Sequence, residues 1–360
     1  MYKKICVDCR MIEHSGIGTY LKNILPRIIK MESEIQFVLL GNKEKLKRYV
    51  DFSSTNLLLI ESNAKIFSLR EQIDLVKNIP SDIDFLWVPH FNIPIFYSGK
   101  LLVTIHDVMQ LALPKYAGGI HKQFFARFLF FVLKKRAFKI LTVSEFTKKE
   151  IVKLIGIDPL KIFPIPLGVF QEIKFEEDEL SPHEKKYILF VGNIKKHKNL
   201  VTLINAFNLI KKKINLDLIV VGEKEKLRTA DDEISQVYEK DSENIFFTGF
   251  ITDDLLKQYY RHATALIFPS YYEGFGLPVL EAMAYGCPVI SSTSASLPEV
   301  GGNAVMYFNP NSSDELAGKI ISLYENKKLA KDMVEKGLLQ VKNFSWDLCA
   351  EKTLKVLKMI

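Results

Sequence analysis

The sequence contains few cysteines and no long apolar run. Only four of its 360 residues are cysteine, which excludes a small disulfide-stabilised fold and is typical of a reducing compartment. The first apolar run, at residues 5–7, is too short for a signal peptide. No stretch approaches the roughly 18 apolar residues that a membrane-spanning helix needs. The sequence therefore predicts a cytoplasmic protein, which would meet a membrane only as a peripheral protein at the inner face of the cytoplasmic membrane.

Metal-binding patterns are also scarce. Cys6 and Cys9 form a C-x-x-C pair, but it is not accompanied by the second pair or the histidines at ligand spacing that a zinc site requires. Positions 6 and 9 of a strand point to opposite faces. We therefore expect both cysteines to be buried for structural reasons.

Charge is unevenly distributed along the chain. The 49 basic and 42 acidic residues give a net charge of +7. Residues 1–170 hold 25 basic and 15 acidic residues, whereas residues 171–360 hold 24 and 27. A basic half indicates either scattered solubilising lysines or a surface for a polyanion, an anionic membrane or an anionic substrate. No recognised nucleic-acid-binding motif accompanies it, so we expect no nucleic acid partner.

The chain is long enough for two domains of about 150 residues each. Short apolar runs alternate with helical patterns, which is typical of an α/β fold whose parallel sheets are covered by helices on both faces. Strands are predicted at residues 4–7, 35–40, 85–88, 102–105, 139–143, 187–191, 216–221, 245–248, 265–268 and 289–291. A charged stretch at 171–185 has the composition of a linker. The sequence predicts an N-terminal domain over 1–172, to which a final helix over 345–360 returns, and a second domain over 183–344.

The most informative segment surrounds two glutamates, Glu273 and Glu281. It follows a predicted strand, and a helix is predicted to begin near Pro278 with Glu281 in its first turn. Free backbone N–H groups and the positive dipole end before that helix attract phosphate, whereas the two carboxylates suit hydroxyl groups of a sugar or a ribose. The alternative is an ordinary helix start with glycines in a turn. The N–H groups in question belong to Gly274, Phe275, Gly276 and Leu277.

Glu273, Glu281 and the seven residues between them resemble the E-x7-E motif of the retaining glycosyltransferases of family 4, also called glycosyl transferases group 1, which have the GT-B fold. The likeness extends over most of the chain in order and spacing. The further matching segments are residues 16–20, 104–107, 143–147, 166–169, 191–200 and 344–346. The resemblance implies two Rossmann-like, doubly wound domains that face each other across a cleft.

The resemblance also implies roles in binding a nucleotide-sugar donor. Glu273 would contact hydroxyls of the donor sugar as a catalytic residue, Glu281 would hold the ribose, and Lys198 would pair with the diphosphate. The family usually has Arg-Lys-Asn where this chain has His-Lys-Asn at 197–199, and Asn193 stands where a basic donor-binding residue often follows the strand-end glycine. Phosphate neutralisation would therefore rest mainly on Lys198, with Lys195 or Lys196 as helpers. The family generally uses no metal, and no other cofactor is expected.

Residues of the first half complete the implied site. His106 and Asp107 match the family's central His-Asp pair: His106 would donate to a sugar hydroxyl or to the developing phosphate charge, and Asp107 would orient it or bind the acceptor. Gly16 and Gly18 would let the backbone approach the diphosphate or the acceptor, or else form a tight turn into the first helix. The family is described as using front-face substitution, in which the leaving diphosphate assists deprotonation of the acceptor.

Residues 121–139 form an unusual basic and aromatic segment. They contain five phenylalanines between 124 and 131 and six Lys or Arg between 122 and 139. Such a helix suits an anionic membrane surface. Alternatively, its phenylalanines pack under the sheet while its lysines extend to solvent. We expect a helix that is partly packed and partly in contact with an anionic membrane.

The stretches at 106–111 and 144–147 look like those of bacterial mannosyltransferases of surface-polysaccharide synthesis. This resemblance implies a hexosyltransferase that moves mannose from GDP-mannose onto a glycan or a polyprenyl-linked acceptor. A UDP-linked glucose, galactose or N-acetylglucosamine donor is an alternative, and a sugar-nucleotide epimerase of the same fold is another. A non-catalytic scaffold is a further class, against which Glu273, Glu281, Lys198 and His106 argue.

Overall fold

The chain forms two compact units. The computed structural model describes residues 3–64, 66–116, 119–170, 180–222 and 244–360. One unit consists of Met1–Gly168 together with Trp346–Ile360, and the other of Val169–Ser345. Much of the predicted linker, residues 171–179, lies outside the described residues.

Strands and helices alternate in both units. The strands are β1 (Lys3–Asp8), β2 (Ile35–Gly41), β3 (Leu57–Glu61), β4 (Phe85–Val88), β5 (Leu101–Ile105), β6 (Ala137–Thr142), β7 (Ile162–Pro164), β8 (Tyr187–Val191), β9 (Asp217–Val221), β10 (Ile245–Phe247), β11 (Ala265–Phe268), β12 (Val289–Ser292) and β13 (Met306–Phe308). The described helices are α1 (Ser15–Met31), α2 (Lys43–Leu46), α3 (Leu69–Asn78), α4 (Met109–Ala112), α5 (Ile120–Arg136), α6 (Glu145–Ile155), α7 (Leu200–Ile210), α8 (Asp253–His262), α9 (Leu277–Ala284), α10 (Leu297–Gly301), α11 (Ser313–Glu325), α12 (Lys327–Val341) and α13 (Trp346–Lys358).

Each unit is built around one parallel sheet. The strand order is β3-β2-β1-β4-β5-β6-β7 in the first unit and β10-β9-β8-β11-β12-β13 in the second. Central strands such as β4 and β8 are continuous apolar runs in which every residue is buried, because helices cover both faces of such sheets. The prediction of an α/β fold with two doubly wound sheets is confirmed.

Each sheet has one point at which the order of its strands reverses. The first sheet grows outward from β1 to β3 and resumes at β4 beside β1; the second resumes at β11 beside β8. In open parallel sheets, ligands bind beyond the carboxyl ends of the strands at such a switch point. The residues that follow β1, β4, β8 and β11 are therefore the places where a site is expected.

The first helix begins earlier than the glycine pattern suggests. Gly16 and Gly18, expected to approach a ligand or to form a tight turn into the first helix, lie in the first turn of α1, which starts at Ser15. The N–H of Gly18 already donates to the His14 carbonyl at 2.8 Å. A Cβ on Gly18 would lie 2.5 Å from the Ile12 carbonyl oxygen, whereas a Cβ on Gly16 would meet open space. Close packing of the chain that enters α1 thus explains Gly18.

The last helix, α13, packs against α1 in the first unit. Trp346, Leu354 and Leu357 are buried along α13, and the Asp347 carboxylate accepts a hydrogen bond from Arg27 Nε on α1 at 2.8 Å. The chain that leaves the first unit after Gly168 therefore returns to it at residue 346.

The basic, aromatic segment is a helix over Ile120–Arg136, shorter than the predicted 121–139. Residues 137–139 belong instead to β6, where Ala137 and Lys139 pair with Leu101 and Leu102 of β5. Pairing within the sheet therefore ends the helix, although the basic composition continues to Lys139.

Candidate functional site

Lys198 and Glu273 meet at the carboxyl ends of β8 and β11, the switch point of the second sheet. Lys198 ends a short 3-10 turn that follows β8, and Glu273 lies on the loop between β11 and α9. Lys198 Nζ donates to Glu273 Oε1 at 2.6 Å. The two side chains are 16% and 14% exposed. Sequence reasoning identified both residues, and the structure adds that they form one partly buried ion pair.

Hydrogen bonds tie together the two loops that carry this pair. Asn199, which has φ 57°, donates from its amide to the Pro269 carbonyl at 3.0 Å and to the Pro310 carbonyl at 2.8 Å. The N–H of Tyr271 donates to the His197 carbonyl at 2.8 Å. The turn after β8 is thus joined to the loop after β11, which fixes where Lys198 and Glu273 emerge.

The glycine-rich part of the loop is anchored at the start of α9. The hydroxyl of Ser296 is buried, and it lies 2.9 Å from the Glu273 carbonyl and 2.8 Å from the Phe275 carbonyl. Gly276, directly before α9, has φ 113°, a conformation that favours glycine. The backbone of residues 274–277 is therefore held at the N-terminus of α9, where N–H groups and the helix dipole attract an anion.

Glu281 lies one residue beyond the first turn of α9, in which it was expected. It is the fifth residue of that helix and so belongs to the second turn, not the first. Burial raises the pKa of its carboxyl group, and its Oε2 accepts a hydrogen bond from the Tyr260 hydroxyl at 3.1 Å. The Tyr260 ring stacks on Tyr285 with 5.9 Å between the centroids. Compensation of the helix dipole, which acts in the first turn, therefore does not account for Glu281.

His197 and Asn193 add little positive charge near Glu273. Burial lowers the pKa of His197 to about 4, so its ring is neutral at pH 7. Asn193 is an exposed, uncharged residue after β8. The cation in contact with Glu273 is Lys198.

In the first unit, His106 follows β5, the neighbour of β4 at the switch point. Its Nε2 lies 3.1 Å from the Pro89 carbonyl oxygen, and because a carbonyl can only accept, Nε2 carries the proton. Burial lowers the pKa of His106 to about 4, so the neutral ring keeps its lone pair on Nδ1. This geometry favours an accepting role at Nδ1 over the donating role expected from the sequence.

The other predicted residues of the first unit shape the backbone. Asp107 Oδ1 accepts from the N–H of Met109 at 2.9 Å and so caps the start of α4, while Gly16 and Gly18 lie in α1. The structure places four of the predicted site residues in the first unit and eight in the second. Within the second unit, it brings Lys198 and Glu273 into direct contact.

A buried ionic cluster at the carboxyl ends of β1 and β4 in the first sheet was not predicted from the sequence. Arg10 donates to the two carboxylate oxygens of Asp8 at 2.8 and 2.7 Å and to Glu71 Oε1 at 2.7 Å. Burial alone would raise the pKa of Asp8, but Arg10 together with His90 outweighs burial and holds the pKa well below its usual range. His90 and Asn92, which follow β4, join the cluster. Two charges at the end of a buried strand, Asp8 and Arg10, were the available signal in the sequence, whereas nothing marked Glu71.

No group of three or more His, Cys, Asp or Glu side chains that could hold a metal ion occurs among the described residues. No helix of the described ranges is long and apolar enough to cross a membrane. Cys6 and Cys9 are free thiols whose pKa values burial raises.

Comparison with known families identifies the second unit. Residues 171–340 match the model of the family Glycosyl transferases group 1, and this range contains Lys198, Glu273 and Glu281. The chain carries a group 1 glycosyltransferase domain. The resemblance found in the sequence is thereby confirmed.

Relatives and solved structures extend this likeness beyond the second unit. The O-antigen chain mannosyltransferase B of Escherichia coli is 28% identical over 314 residues, which cover 84% of this chain and 79% of that protein. The O-antigen chain mannosyltransferase RfbU of Salmonella typhimurium is 32% identical over 222 residues, 62% of this chain and 60% of that protein. The structure of Anabaena Alr3699/HepE in complex with UDP-glucose has a TM-score of 0.79 at 14% identity, covering 99% of this chain and 100% of that one. Together with the family match, these findings confirm the predictions of the GT-B fold and of a hexosyltransferase.

Proposed function

We propose that this glycosyltransferase moves mannose from GDP-mannose, with retention of configuration, onto a glycan or polyprenyl-linked acceptor in surface-polysaccharide synthesis. The observation that carries the proposal is the Lys198–Glu273 ion pair at the switch point of the sheet, beside the glycine-rich start of α9. The choice of mannose is supported by the names of two relatives, both O-antigen mannosyltransferases.

The ion pair suits a donor because its two members can exchange partners. Glu273 neutralises Lys198 in their ion pair. A diphosphate at the N-terminus of α9 would attract Lys198 and release Glu273, whose oxygens would then accept from hydroxyls of the sugar. Glu281, held by Tyr260, would accept from the ribose. Lys198 and the helix end supply the positive charge, so the proposed reaction requires no metal.

His106, a residue of the first unit, suits a role in orienting a reacting sugar. Its Nδ1 lone pair would accept a hydrogen bond from a sugar hydroxyl, which orients that sugar without adding charge. The leaving diphosphate would take the proton of the acceptor hydroxyl on the same face as the new bond. Catalysis then consists of positioning and of charge stabilisation at the leaving group.

Thermal unfolding with nucleotide sugars tests the donor, because a ligand that binds the folded state raises the melting temperature by mass action. We expect GDP-mannose to raise it more than UDP-glucose, UDP-galactose, UDP-N-acetylglucosamine or ADP-glucose. Lys198→Met should remove the shift, whereas Lys257→Met, at an exposed ion pair on α8, should retain it.

A larger shift with a UDP-sugar would favour the second candidate, a UDP-hexose-dependent transferase. This candidate is supported by the UDP-glucose complex of Alr3699/HepE. Product analysis without acceptor separates both candidates from an epimerase, because only an epimerase would convert the donor sugar under those conditions.

We further propose that α5 lies on an anionic membrane surface. Phe124, Phe128 and Phe131 are 65%, 49% and 54% exposed, whereas Leu129 and Leu133 are buried. The helix contains no Asp or Glu, and its last turn contains three cations. Exposed aromatic rings together with unopposed positive charge suit the headgroup region of an anionic bilayer.

A groove beside α5 continues this surface. It has a volume of about 770 Å³. Its lining consists of Leu111, Arg127, Phe130, Phe131, Lys134, Lys135, Leu154 and Ile155, without an acidic side chain. A lining that combines apolar side chains with three cations suits a phosphate-headed lipid, so the groove supports binding to phosphatidylglycerol-containing membranes.

Flotation with lipid vesicles tests the membrane proposal. We expect the chain to float with vesicles of phosphatidylcholine and phosphatidylglycerol but not with phosphatidylcholine alone. Changing Arg127, Lys134 and Lys135 together to Gln should abolish flotation. The matched control changes Lys212, Lys213 and Lys328, three exposed residues of the second unit, to Gln and should float normally. Equal flotation of both triple variants would contradict the proposal.

A further inference from the structure

The segment after β4 touches His106 on one side and a buried carboxylate on the other. Pro89 is the first residue after β4, and its carbonyl oxygen lies 3.1 Å from His106 Nε2. The next residue, His90, is 3% exposed, and its Nε2 lies 3.3 Å from Asp8 Oδ2. One end of this segment therefore packs, buried, beside the carboxyl end of β1.

Asn92 provides the second anchor of the segment. Its amide is 1% exposed and lies 3.0 Å from both oxygens of Glu71 on α3. Glu71 also accepts from Arg10 at 2.7 Å and from the N–H of Phe67 at 2.6 Å. Arg10 joins Glu71 to Asp8, so both anchors belong to one network. Because a buried charge without its partner is costly, this network strongly favours a single arrangement.

We propose that Asp8, Arg10, Glu71, His90 and Asn92 position His106 by fixing the Pro89 carbonyl. The nitrogen of an imidazole that carries the proton is set by the hydrogen bond the ring makes. A carbonyl held at Nε2 keeps the proton there and leaves Nδ1 as the accepting atom. The inference rests on the role proposed for His106 in transfer, and the five residues act through Pro89 rather than on substrate.

Nitrogen-15 NMR of the full chain, labelled at histidine, reads the tautomer of His106 directly; His106→Gln assigns its signals. We expect the Nε2–H tautomer in the wild type and a mixture of tautomers in Asn92→Ala and in Glu71→Gln. In both variants kcat should fall about tenfold, because the sugar hydroxyl loses an aligned acceptor, while KM for the donor stays within about twofold of the wild type.

Asn56→Ala is the matched control. The Asn56 amide donates to carbonyls of Ile29, Glu32 and Ile35. These contacts lie near the amino ends of β2 and β3, whereas the Pro89 segment follows the carboxyl end of β4. This variant should lower the melting temperature without changing the tautomer of His106 or kcat.

Three outcomes would overturn the positioning role: Nδ1–H in the wild type, an unchanged tautomer in folded Asn92→Ala, or an equal tautomer change in Asn56→Ala. A tautomer change without loss of transfer would uphold the positioning and contradict the catalytic role proposed for His106. Should Glu71→Gln fail to fold, Asn92→Ala decides, because it leaves Arg10 paired with both carboxylates.

Discussion

At the scale of single residues, Glu273 and the diphosphate of a donor would be alternative partners of Lys198. Each side chain keeps a small exposed fraction, so a ligand can reach the pair while water screens it only partly. The proposed exchange of partners means that the two residues should affect nucleotide binding in opposite directions.

Calorimetric titration with GDP, which lacks the sugar, tests this opposition. Lys198→Met should weaken GDP binding by about 2 kcal/mol, the range of a hydrogen bond to a charged group. Glu273→Gln should bind GDP at least as tightly as the wild type, because Lys198 loses its competing partner, and yet transfer should fall by about 100-fold or more. Equal weakening of GDP binding in both variants would contradict the exchange.

The two desolvated imidazoles, His106 and His197, should make stability depend on pH. Burial lowers both pKa values to about 4, whereas the pKa of an imidazole in the unfolded chain is about 6.5. Between these values the unfolded chain binds more protons, so the free energy of unfolding falls as the pH falls from about 6.5 towards 4. Urea midpoints across that range should decrease towards acid.

Histidine variants separate this contribution from the titration of carboxylates. His197→Gln and His106→Gln should each flatten the decrease of the urea midpoint. His14→Gln, which removes an exposed imidazole, should leave the slope as it is. An unchanged slope in both buried-site variants would show that these rings bind protons equally in the folded and unfolded states.

At the scale of elements, Gly16 and Gly18 of α1 form a matched pair. A Cβ on Gly16 meets nothing within 4 Å, whereas one on Gly18 collides with the Ile12 carbonyl. Gly16→Ala should stabilise the protein by up to about 1 kcal/mol through helix propensity, and Gly18→Ala should destabilise it by about 1–3 kcal/mol through overpacking. Chemical denaturation measures both.

Activity of the same variants tests the predicted approach of backbone to ligand at Gly16. A folded Gly16→Ala variant that loses donor or acceptor affinity would support that role. Full activity in Gly16→Ala would leave Gly16 as an ordinary helix residue.

The strands that the sequence did not predict share a position in the sheets. β3 and β7 are the edges of the first sheet, and β13 is an edge of the second. Edge strands have a neighbour on one side only; β7 and β13 have three residues each, and β3 is partly exposed. The apolar runs of β7 and β13 are therefore short, whereas central strands such as β4 and β8 are continuous apolar runs that are buried throughout. β3 has a continuous apolar run of four residues as well, although it was not predicted as a strand.

Site residues that stand together in one sequence motif were predictable, whereas contacts between residues of different segments were not. Glu273 and Glu281 stand in one motif, and Lys198 stands in another. The contact between Lys198 and Glu273 spans 75 positions, and the contact that sets the His106 tautomer spans 17. Such pairings follow from the order of the strands in the sheets, which spacing along the chain does not encode.

At the scale of the whole molecule, the chain builds two separate cores. The core of the second unit gathers Phe190, Phe207 and Leu316 among others, while α13 completes the first unit beside α1. Both tryptophans of the chain, Trp87 and Trp346, are buried in the first unit. Tryptophan fluorescence therefore reports on the first unit, whereas far-ultraviolet circular dichroism reports on both.

One substitution placed in each core tests whether the units unfold separately. Leu357 on α13 and Leu316 on α11 are both fully buried, and Leu→Ala at such sites costs about 2–5 kcal/mol. Leu357→Ala should lower the urea midpoint seen by fluorescence. Leu316→Ala should lower the midpoint of one circular dichroism transition and leave the fluorescence midpoint in place, because each unit has its own core. An equal fluorescence shift in both variants would instead show that the two units unfold as one cooperative structure.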